Sequence, residues 1–310
     1  MEKIAVIGTG LVGRSWSIVF ARAGREVALY DADAAAAGRA RSAIAQSLSA
    51  LRSAGLVADI DAIQARIRPA KSLAEALDGA VHAQEAVTER VEVKREVFRD
   101  MDSLAAPETV LASSSSTLPA SAFASELAGK RRCLVAHPLN PPHLVPLVEL
   151  VPAPWTDPEV VRRTKALMAS VGQEPITMLK EVPGFIVNRL QVALLNEAFA
   201  LVEDGCITPE DLDKSITHGL GLRWSVVGPF ETIDLNAARG VKHYVEIFGA
   251  KFFELLKPRG APRPWAEQVV QEIDQARRAV LPLAEIPSRQ AWRDERLTEL
   301  AALRAGSSKE

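Results

Sequence analysis

Residues 3–13 read Lys-Ile-Ala-Val-Ile-Gly-Thr-Gly-Leu-Val-Gly, and this stretch decides the fold. Its first six residues form a short apolar run that ends in glycine, which is typical of a strand buried on both faces of a parallel sheet. The apolar periodicity that follows predicts a helix ending at Gly24, and residues 26–31 predict a second strand. A complete strand–helix–strand unit therefore occupies about 30 residues.

Further short apolar runs alternate with polar, helix-capable stretches as far as Pro183 and Gly184. Strands that alternate with helices indicate an α/β domain with a mostly parallel sheet. Beyond this point the sequence shows long helical periodicities and few strand patterns. We therefore predict a Rossmann-type domain over residues 1–183, followed by an all-α domain over residues 184–310.

Composition excludes several classes of protein. Lys and Arg number 37 and Asp and Glu number 39, so the net charge of −2 provides no positive field for a nucleic acid. No apolar run reaches the roughly 18 residues of a membrane-spanning helix. The amino-terminal residues lack the pattern of a signal peptide, and the 2 cysteines and 5 histidines show no metal-ligand spacing. We expect a cytoplasmic protein with no metal site.

Residues 8–13 form a Gly-x-Gly-x-x-Gly turn between the first strand and its helix, which is the context of a dinucleotide-binding motif. Gly8 allows the tight turn, Gly10 lets the backbone approach a pyrophosphate, and Gly13 lets helix and strand pack closely. The backbone N–H groups at Leu11 and Val12, where the helix begins, are available to the phosphates. The alternative is an ordinary strand-to-helix turn.

Asp31 ends the second strand, 21 residues after Gly10. A carboxylate at this position accepts hydrogen bonds from the ribose hydroxyls and repels a 2′-phosphate. The sequence therefore favours NAD over NADP, and the alternative is a strand-end aspartate in solvent.

His137 follows a strand pattern and is flanked by prolines, whereas Glu149 lies within an apolar strand pattern. A carboxylate in such a strand is costly to bury without a partner, and a returning strand could bring it to His137. The carboxylate would then orient the imidazole, leaving its other nitrogen free to accept a proton from an alcohol. The alternative is an unpaired loop histidine and an exposed glutamate.

The sequence resembles the 3-hydroxyacyl-CoA dehydrogenase family over roughly residues 3–235, and more narrowly its lambda-crystallin branch, which includes L-gulonate 3-dehydrogenase. The segments that carry the resemblance are GTGLVG, EAVTERVEVK, SSSST, HPLNP, VELV, PGFIVNRL and GLGLRWSVVGPFET. The resemblance implies an NAD-dependent dehydrogenase that forms a homodimer through its helical, substrate-binding second domain.

The resemblance also implies roles for single residues. His137 matches the catalytic base and Glu149 its orienting carboxylate, while Ser116 and Asn188 match groups that bind the substrate oxygen. In addition, Glu89, Lys94 and Asn140 match residues on the cofactor side.

Two departures favour a free acid over a CoA thioester as substrate. Residues 34–56 carry only the cations Arg39, Arg41 and Arg52, where the thioester enzymes have a lysine-rich arm. Arg223 stands where those enzymes are usually uncharged, and it could bind a substrate carboxylate, with Arg189 as a second candidate. We therefore expect oxidation of a small 3-hydroxy acid such as L-gulonate. A 3-hydroxyacyl-CoA dehydrogenase and a non-catalytic, NAD-binding crystallin are the alternatives.

Overall fold

The computed structural model describes residues 2–256 and 265–307, which divide into two compact units. Residues 2–188 and 290–307 belong to the first unit, and residues 189–256 and 265–289 form the described part of the second. The division departs from the expected second domain of residues 184–310, because the carboxyl-terminal helix joins the first unit. Leu297 of this helix packs against the buried cluster that contains Ile18 and Leu51, and Thr298 is buried beside it.

The first unit is built on one eight-stranded sheet with the order β3-β2-β1-β4-β5-β6-β7-β8. Strands β1 to β6 are parallel, β7 is antiparallel to β6, and β8 runs parallel to β7. The mostly parallel sheet is therefore confirmed, although β3 was not predicted from the sequence. The strands are β1 Lys3–Ile7, β2 Glu26–Tyr30, β3 Ile67–Pro69, β4 Ala80–Glu85, β5 Val110–Ser113, β6 Cys133–Pro138, β7 Leu147–Pro152 and β8 Glu174–Thr177.

Helices connect the parallel strands and cover both faces of the sheet. The first of them ends as predicted, because Gly24 adopts a left-handed φ of 82° directly after it. The helices of this unit are α1 Leu11–Arg22, α2 Ala34–Ser53, α3 Ile60–Ala65, α4 Leu73–Leu77, α5 Val91–Leu104, α6 Ala120–Phe123 and α7 Pro158–Ser170, with a short 3₁₀ helix at Lys130–Arg132.

The core consists of two apolar layers, one on each face of the sheet. Alternate residues of β1 supply both layers, since Ile4 and Val6 belong to one cluster and Ala5 and Ile7 to the other. All four are at most 2% exposed, so β1 is buried on both faces, as its unbroken apolar sequence predicts.

The described part of the second unit is helical, which agrees with the expected all-α domain. Helix α8 begins at the end of the first unit, and helix α14 begins in the second unit and ends in the first. No helix within the described ranges is long and apolar enough to cross a bilayer. The helices are α8 Val187–Glu203, α9 Pro209–Ser215, α10 Gly221–Trp224, α11 Pro229–Leu235, α12 Gly240–Leu256, α13 Glu267–Val280 and α14 Ile286–Ser307, with a π-helical turn at Ile216–Leu220 and a 3₁₀ turn at Leu283–Glu285.

Candidate active site

The three glycines of the first turn are required for different reasons. Gly8 has a φ of 101°, and a Cβ on it would lie 2.6 Å from the carbonyl oxygen of Ala86. A Cβ on Gly13 would overlap the carbonyl oxygen of Gly8. Gly10 is different, because a Cβ there would meet nothing within 4 Å. Packing therefore explains Gly8 and Gly13, whereas the open space at Gly10 fits close approach by a ligand.

Helix α1 begins at Leu11 with Gly10 as its N-cap, and no side chain caps it. Its first turn contains no acidic residue. The backbone N–H groups at the start of a helix need a partner, and an anion is well placed to supply it. The turn therefore has the donors and the space that a pyrophosphate needs.

Asp31 is held against the glycine turn by hydrogen bonds that the sequence did not reveal. The backbone N–H and the hydroxyl of Thr9 donate to Asp31 Oδ2 at 2.8 and 2.7 Å, and the N–H of Asp33 donates to Oδ1 at 3.0 Å. The carboxylate is thus fixed where a ribose would lie if the pyrophosphate bound at the turn. The residues present fit NAD at this end of the sheet.

His137 and Glu149 lie opposite each other in the antiparallel pair β6–β7. Imidazole Nδ1 lies 2.7 Å from Glu149 Oε2, the Glu149 side chain is 0% exposed, and the His137 side chain is 7% exposed. The structure therefore forms the pair that the apolar context of Glu149 indicated. In the described part of the chain, no hydrogen-bond partner is found for His137 Nε2.

The second oxygen of Glu149 receives the start of helix α8. The N–H groups of Ile186 and Val187 donate to Glu149 Oε1 at 2.8 and 3.0 Å. Gly184 and Phe185, with φ values of 75° and 52°, turn the chain into this arrangement. The left-handed conformation is unfavourable for a phenylalanine, by about 1–3 kcal/mol, so surrounding contacts must hold it.

These contacts keep Glu149 ionised. Burial by itself raises the pKa of this carboxyl, but the hydrogen bonds from His137, Val187 and Ile186 outweigh it, so the pKa lies below its ordinary value. A carboxylate beside Nδ1 fixes the tautomer that carries a proton on Nδ1 and leaves Nε2 as the acceptor.

Phe185 is a site residue that the sequence analysis missed. Its side chain is 0% exposed, and its ring centroid lies 5.6 Å from that of His137 at an interplanar angle of 53°. The ring therefore packs on the imidazole and limits its rotation. The PGF segment was recognised as part of a motif, but only the folded structure shows that the aromatic ring of Phe185 packs on His137.

Ser116 and Asn188 also lie close together. The side-chain amide of Asn188 donates to the carbonyl oxygen of Ser116 at 2.7 Å. Asn188 directly follows Val187, whose N–H is bound by Glu149. The first turn of α8 thus links the serine loop (residues 114–117, after β5) to the His137–Glu149 pair, and all four predicted catalytic residues belong to one connected network.

Glu89 and Lys94 occupy positions beneath the serine loop. Glu89 Oε1 accepts the N–H groups of Ser116 and Thr117 at 2.9 and 3.0 Å. Lys94 is 1% exposed, and its Nζ lies between Glu89 and Glu85, at 3.2 Å from Glu89 Oε2. Their contact with the cofactor stays a prediction. Glu85 also contacts Lys94 Nζ, at 2.9 Å, and the sequence analysis did not single this residue out.

Two further predicted residues, Asn140 and Arg223, are exposed. Asn140 is exposed in the loop after β6, and its peptide bond to Pro141 is cis. Arg223 is exposed in α10, within the second unit. Their roles toward cofactor and substrate stay predictions.

The arrangement suits removal of a proton from an alcohol. A steered imidazole offers Nε2 as the proton acceptor, its partner carboxylate stabilises the imidazolium that forms, and Ser116 and Asn188 offer donors for an oxygen. The glycine turn and Asp31 offer backbone donors and a carboxylate acceptor that a dinucleotide could use, at the same carboxyl-terminal edge of the sheet.

Known proteins resemble this chain over most of its length. Family models described as the NAD binding domain and the C-terminal domain of 3-hydroxyacyl-CoA dehydrogenase match residues 3–182 and 184–280. Lambda-crystallin of Oryctolagus cuniculus is 40% identical over 97% of this chain and 96% of its own length. L-carnitine dehydrogenase of Streptomyces griseus is 37% identical over 89% of this chain and 79% of its own length.

One solved structure resembles nearly the whole chain. It is that of 5-formyl-3-hydroxy-2-methylpyridine 4-carboxylic acid 5-dehydrogenase, described as an NAD⁺-dependent dismutase. The two share a TM-score of 0.82 and 29% identity, and the match covers 98% of this chain and 97% of the other.

Proposed function

The chain belongs to the 3-hydroxyacyl-CoA dehydrogenase family, and from this membership we propose that it oxidises the 3-hydroxyl of a small hydroxy acid such as L-gulonate. It is an NAD-dependent dehydrogenase that acts on CH–OH groups.

The observation that carries the choice of a free acid is the charge of helix α2. Arg39, Arg41 and Arg52 are its only cations, and Arg39 Nη2 is already paired with Asp33 Oδ2 at 3.0 Å. The helix therefore has few cations left for the phosphates of a CoA nucleotide. The similarity to L-carnitine dehydrogenase, which is named for a free hydroxy acid, supports the same choice.

In the proposed reaction, His137 Nε2 accepts the proton of the C3 hydroxyl, and the imidazolium is stabilised by Glu149 across its 2.7 Å contact. When bound, NAD supplies the acceptor for the hydride that leaves C3. The C3 carbon becomes a carbonyl, so one proton and one hydride account for both hydrogens removed.

Two donors steady the substrate oxygen during this change. The hydroxyl of Ser116 is exposed, and Asn188 keeps a second amide hydrogen after its bond to the Ser116 carbonyl. Arg223 is proposed as the anchor of the substrate carboxylate, since a guanidinium binds such a group with two hydrogen bonds.

A substrate panel tests the proposal. The panel consists of L-gulonate, L-carnitine, 3-hydroxybutyrate and 3-hydroxybutyryl-CoA. Each compound is assayed in the presence of NAD, and turnover is followed by the absorbance of NADH. The expected result is a kcat/KM at least about ten-fold higher on a free hydroxy acid than on the thioester, a difference of about 1.4 kcal/mol in transition-state binding. The opposite order would make the protein a 3-hydroxyacyl-CoA dehydrogenase. NAD binding without turnover on any member would favour the crystallin-like alternative.

The homodimer is likewise proposed. The second unit exposes large apolar side chains, among them Val226 at 84% and Phe230 at 79%, which a partner subunit would cover. Sedimentation equilibrium at micromolar concentration should give twice the chain mass of 33.5 kDa. A mass of one chain would contradict the dimer.

A further inference from the structure

Glu85 is a fully buried carboxylate that the proposed reaction does not use. It ends β4, opposite Ile7 of β1 on one side and Ser113 of β5 on the other. The strand order reverses between β1 and β4, so Glu85 lies between the glycine turn after β1 and the serine loop after β5. Burying a carboxylate here is unfavourable unless its charge is paired and its oxygens accept hydrogen bonds.

The carboxylate of Glu85 is saturated by four contacts from three donor groups. Lys94 Nζ lies 2.9 and 3.0 Å from its two oxygens. The N–H of Val87 donates to Oε1 at 2.6 Å, and the hydroxyl of Ser113 donates to Oε2 at 2.5 Å. Both oxygens of Glu85 therefore fix the position of the Lys94 ammonium.

Lys94 passes this constraint to Glu89. Its Nζ lies 3.2 Å from Glu89 Oε2, while Glu89 Oε1 accepts the hydroxyl of Ser115 at 2.6 Å. The same oxygen accepts the N–H groups of Ser116 and Thr117 and the hydroxyl of Thr117 at 2.9, 3.0 and 3.2 Å. Glu89 thus clamps residues 115–117 through one oxygen and is anchored through the other.

The contacts of Glu89 extend to the two residues that are proposed to bind the substrate oxygen. Ser116 is exposed, and its carbonyl oxygen accepts a hydrogen bond from the side-chain amide of Asn188 at 2.7 Å. A shift of the loop would therefore move both donors of the substrate oxygen.

We propose that Glu85 is a positioning residue, which acts through Lys94 and Glu89 to hold residues 115–117 in the conformation that presents Ser116 and Asn188 to the substrate. This inference rests on the proposed substrate contacts of Ser116 and Asn188. The cluster holds two carboxylates for one ammonium, so removing the charge of Glu85 leaves Lys94 to be drawn toward Glu89 alone.

Hydrogen exchange tests the positioning without a substrate. Glu85→Gln keeps the shape of the side chain and removes its charge. In this variant the backbone amides of residues 116 and 117 should exchange about ten-fold faster than in the wild-type protein. Glu89→Gln, at a side chain that is 38% exposed, should accelerate exchange of the same amides if the first variant folds poorly. Glu92→Gln is the matched control, because Glu92 is exposed in α5, the helix that carries Lys94, and lies outside the cluster.

Kinetics with the best substrate of the panel supply the second measurement. Glu85→Gln should lower kcat about ten-fold or more, because the donors are displaced in the transition state, and should change the Kd of NAD less than about three-fold. The double variant Glu85→Gln/Lys94→Met should be no worse than the poorer single variant, because both break the same chain of contacts.

Three results would overturn the inference. Unchanged amide exchange and kcat would show that Glu85 only fills the core, even if the melting temperature falls. A loss confined to NAD affinity would place Glu85 in cofactor binding. Acceleration of exchange throughout the domain would indicate general loosening. Failure of the proposed function would instead appear in the wild-type protein as absence of turnover, whereas the exchange measurement would still decide the role of Glu85.

Discussion

Glu149 holds the imidazole of His137 with one oxygen and the start of helix α8 with the other, so one buried carboxylate joins the sheet to the element that carries Asn188. The carboxylate does not merely orient the base. It also sets the distance between the base and the amide that would bind the substrate oxygen. Removing its charge should affect both.

We expect Glu149→Gln to lower kcat by about 10²–10⁴-fold. The neutral side chain of the glutamine would neither fix the proton on Nδ1 of His137 nor stabilise the imidazolium. Stopped-flow measurement of NADH formation checks this. His137→Asn should be at least as impaired. Near-normal turnover in either variant would remove the pair from the mechanism.

The glycine turn separates stability from binding. Gly10→Ala adds a Cβ into open space, so the melting temperature should fall by no more than about 4 °C, the cost of a poorer N-cap, while NAD affinity falls by about ten-fold or more. Gly13→Ala would overlap a backbone carbonyl and should destabilise the fold by about 1–3 kcal/mol. Calorimetry and titration with NAD measure the two effects, and unchanged NAD affinity in Gly10→Ala would contradict the assignment.

Asp31→Ala should narrow the preference for NAD over NADP. In the proposed role, the carboxylate that Thr9 holds in place would bind ribose hydroxyls and repel a 2′-phosphate, so its loss should weaken NAD binding and improve NADP binding. The ratio of the two kcat/KM values should fall about ten-fold or more. An unchanged ratio would show that Asp31 does not contact the ribose.

Acid stability should depend on His82, which is 1% exposed in β4. Burial lowers its pKa from 6.5 to about 4, with a smaller opposing effect from its hydrogen bond to Gln84. The unfolded chain therefore takes up a proton below pH 6.5 that the folded chain takes up only near pH 4. This contribution to stability is complete above pH 6.5 and is lost as the pH falls toward 4, by about 3 kcal/mol.

Urea unfolding at several pH values measures this loss. His82→Asn should lose less unfolding free energy between pH 6.5 and 4 than the wild type, whereas His218→Asn, at an exposed position, should follow the wild-type curve. Parallel curves for wild type and His82→Asn would contradict the prediction.

Much of the fold was predictable because it depends on local pattern. The apolar run of β1, the stop at Gly24 and the second strand follow from burial and backbone preference within a few residues. The short strand β3 was missed because Ile67–Pro69 has only three residues and no clear alternation. The family resemblance is confirmed, and the matched C-terminal region extends to residue 280, beyond the segments that the sequence analysis recognised.

The amino-acid sequence by itself determined the dinucleotide turn, the mostly parallel sheet and the apolar setting that made Glu149 require a partner. Only the tertiary structure decided that His137 is this partner, that Phe185 packs on it, that Glu85 anchors the serine loop, and that α14 returns to the first unit. The physical reason is range. Strand, turn and helix preferences act between neighbours in the chain, whereas a buried charge is satisfied by whichever residues the folded chain brings within about 3 Å of it.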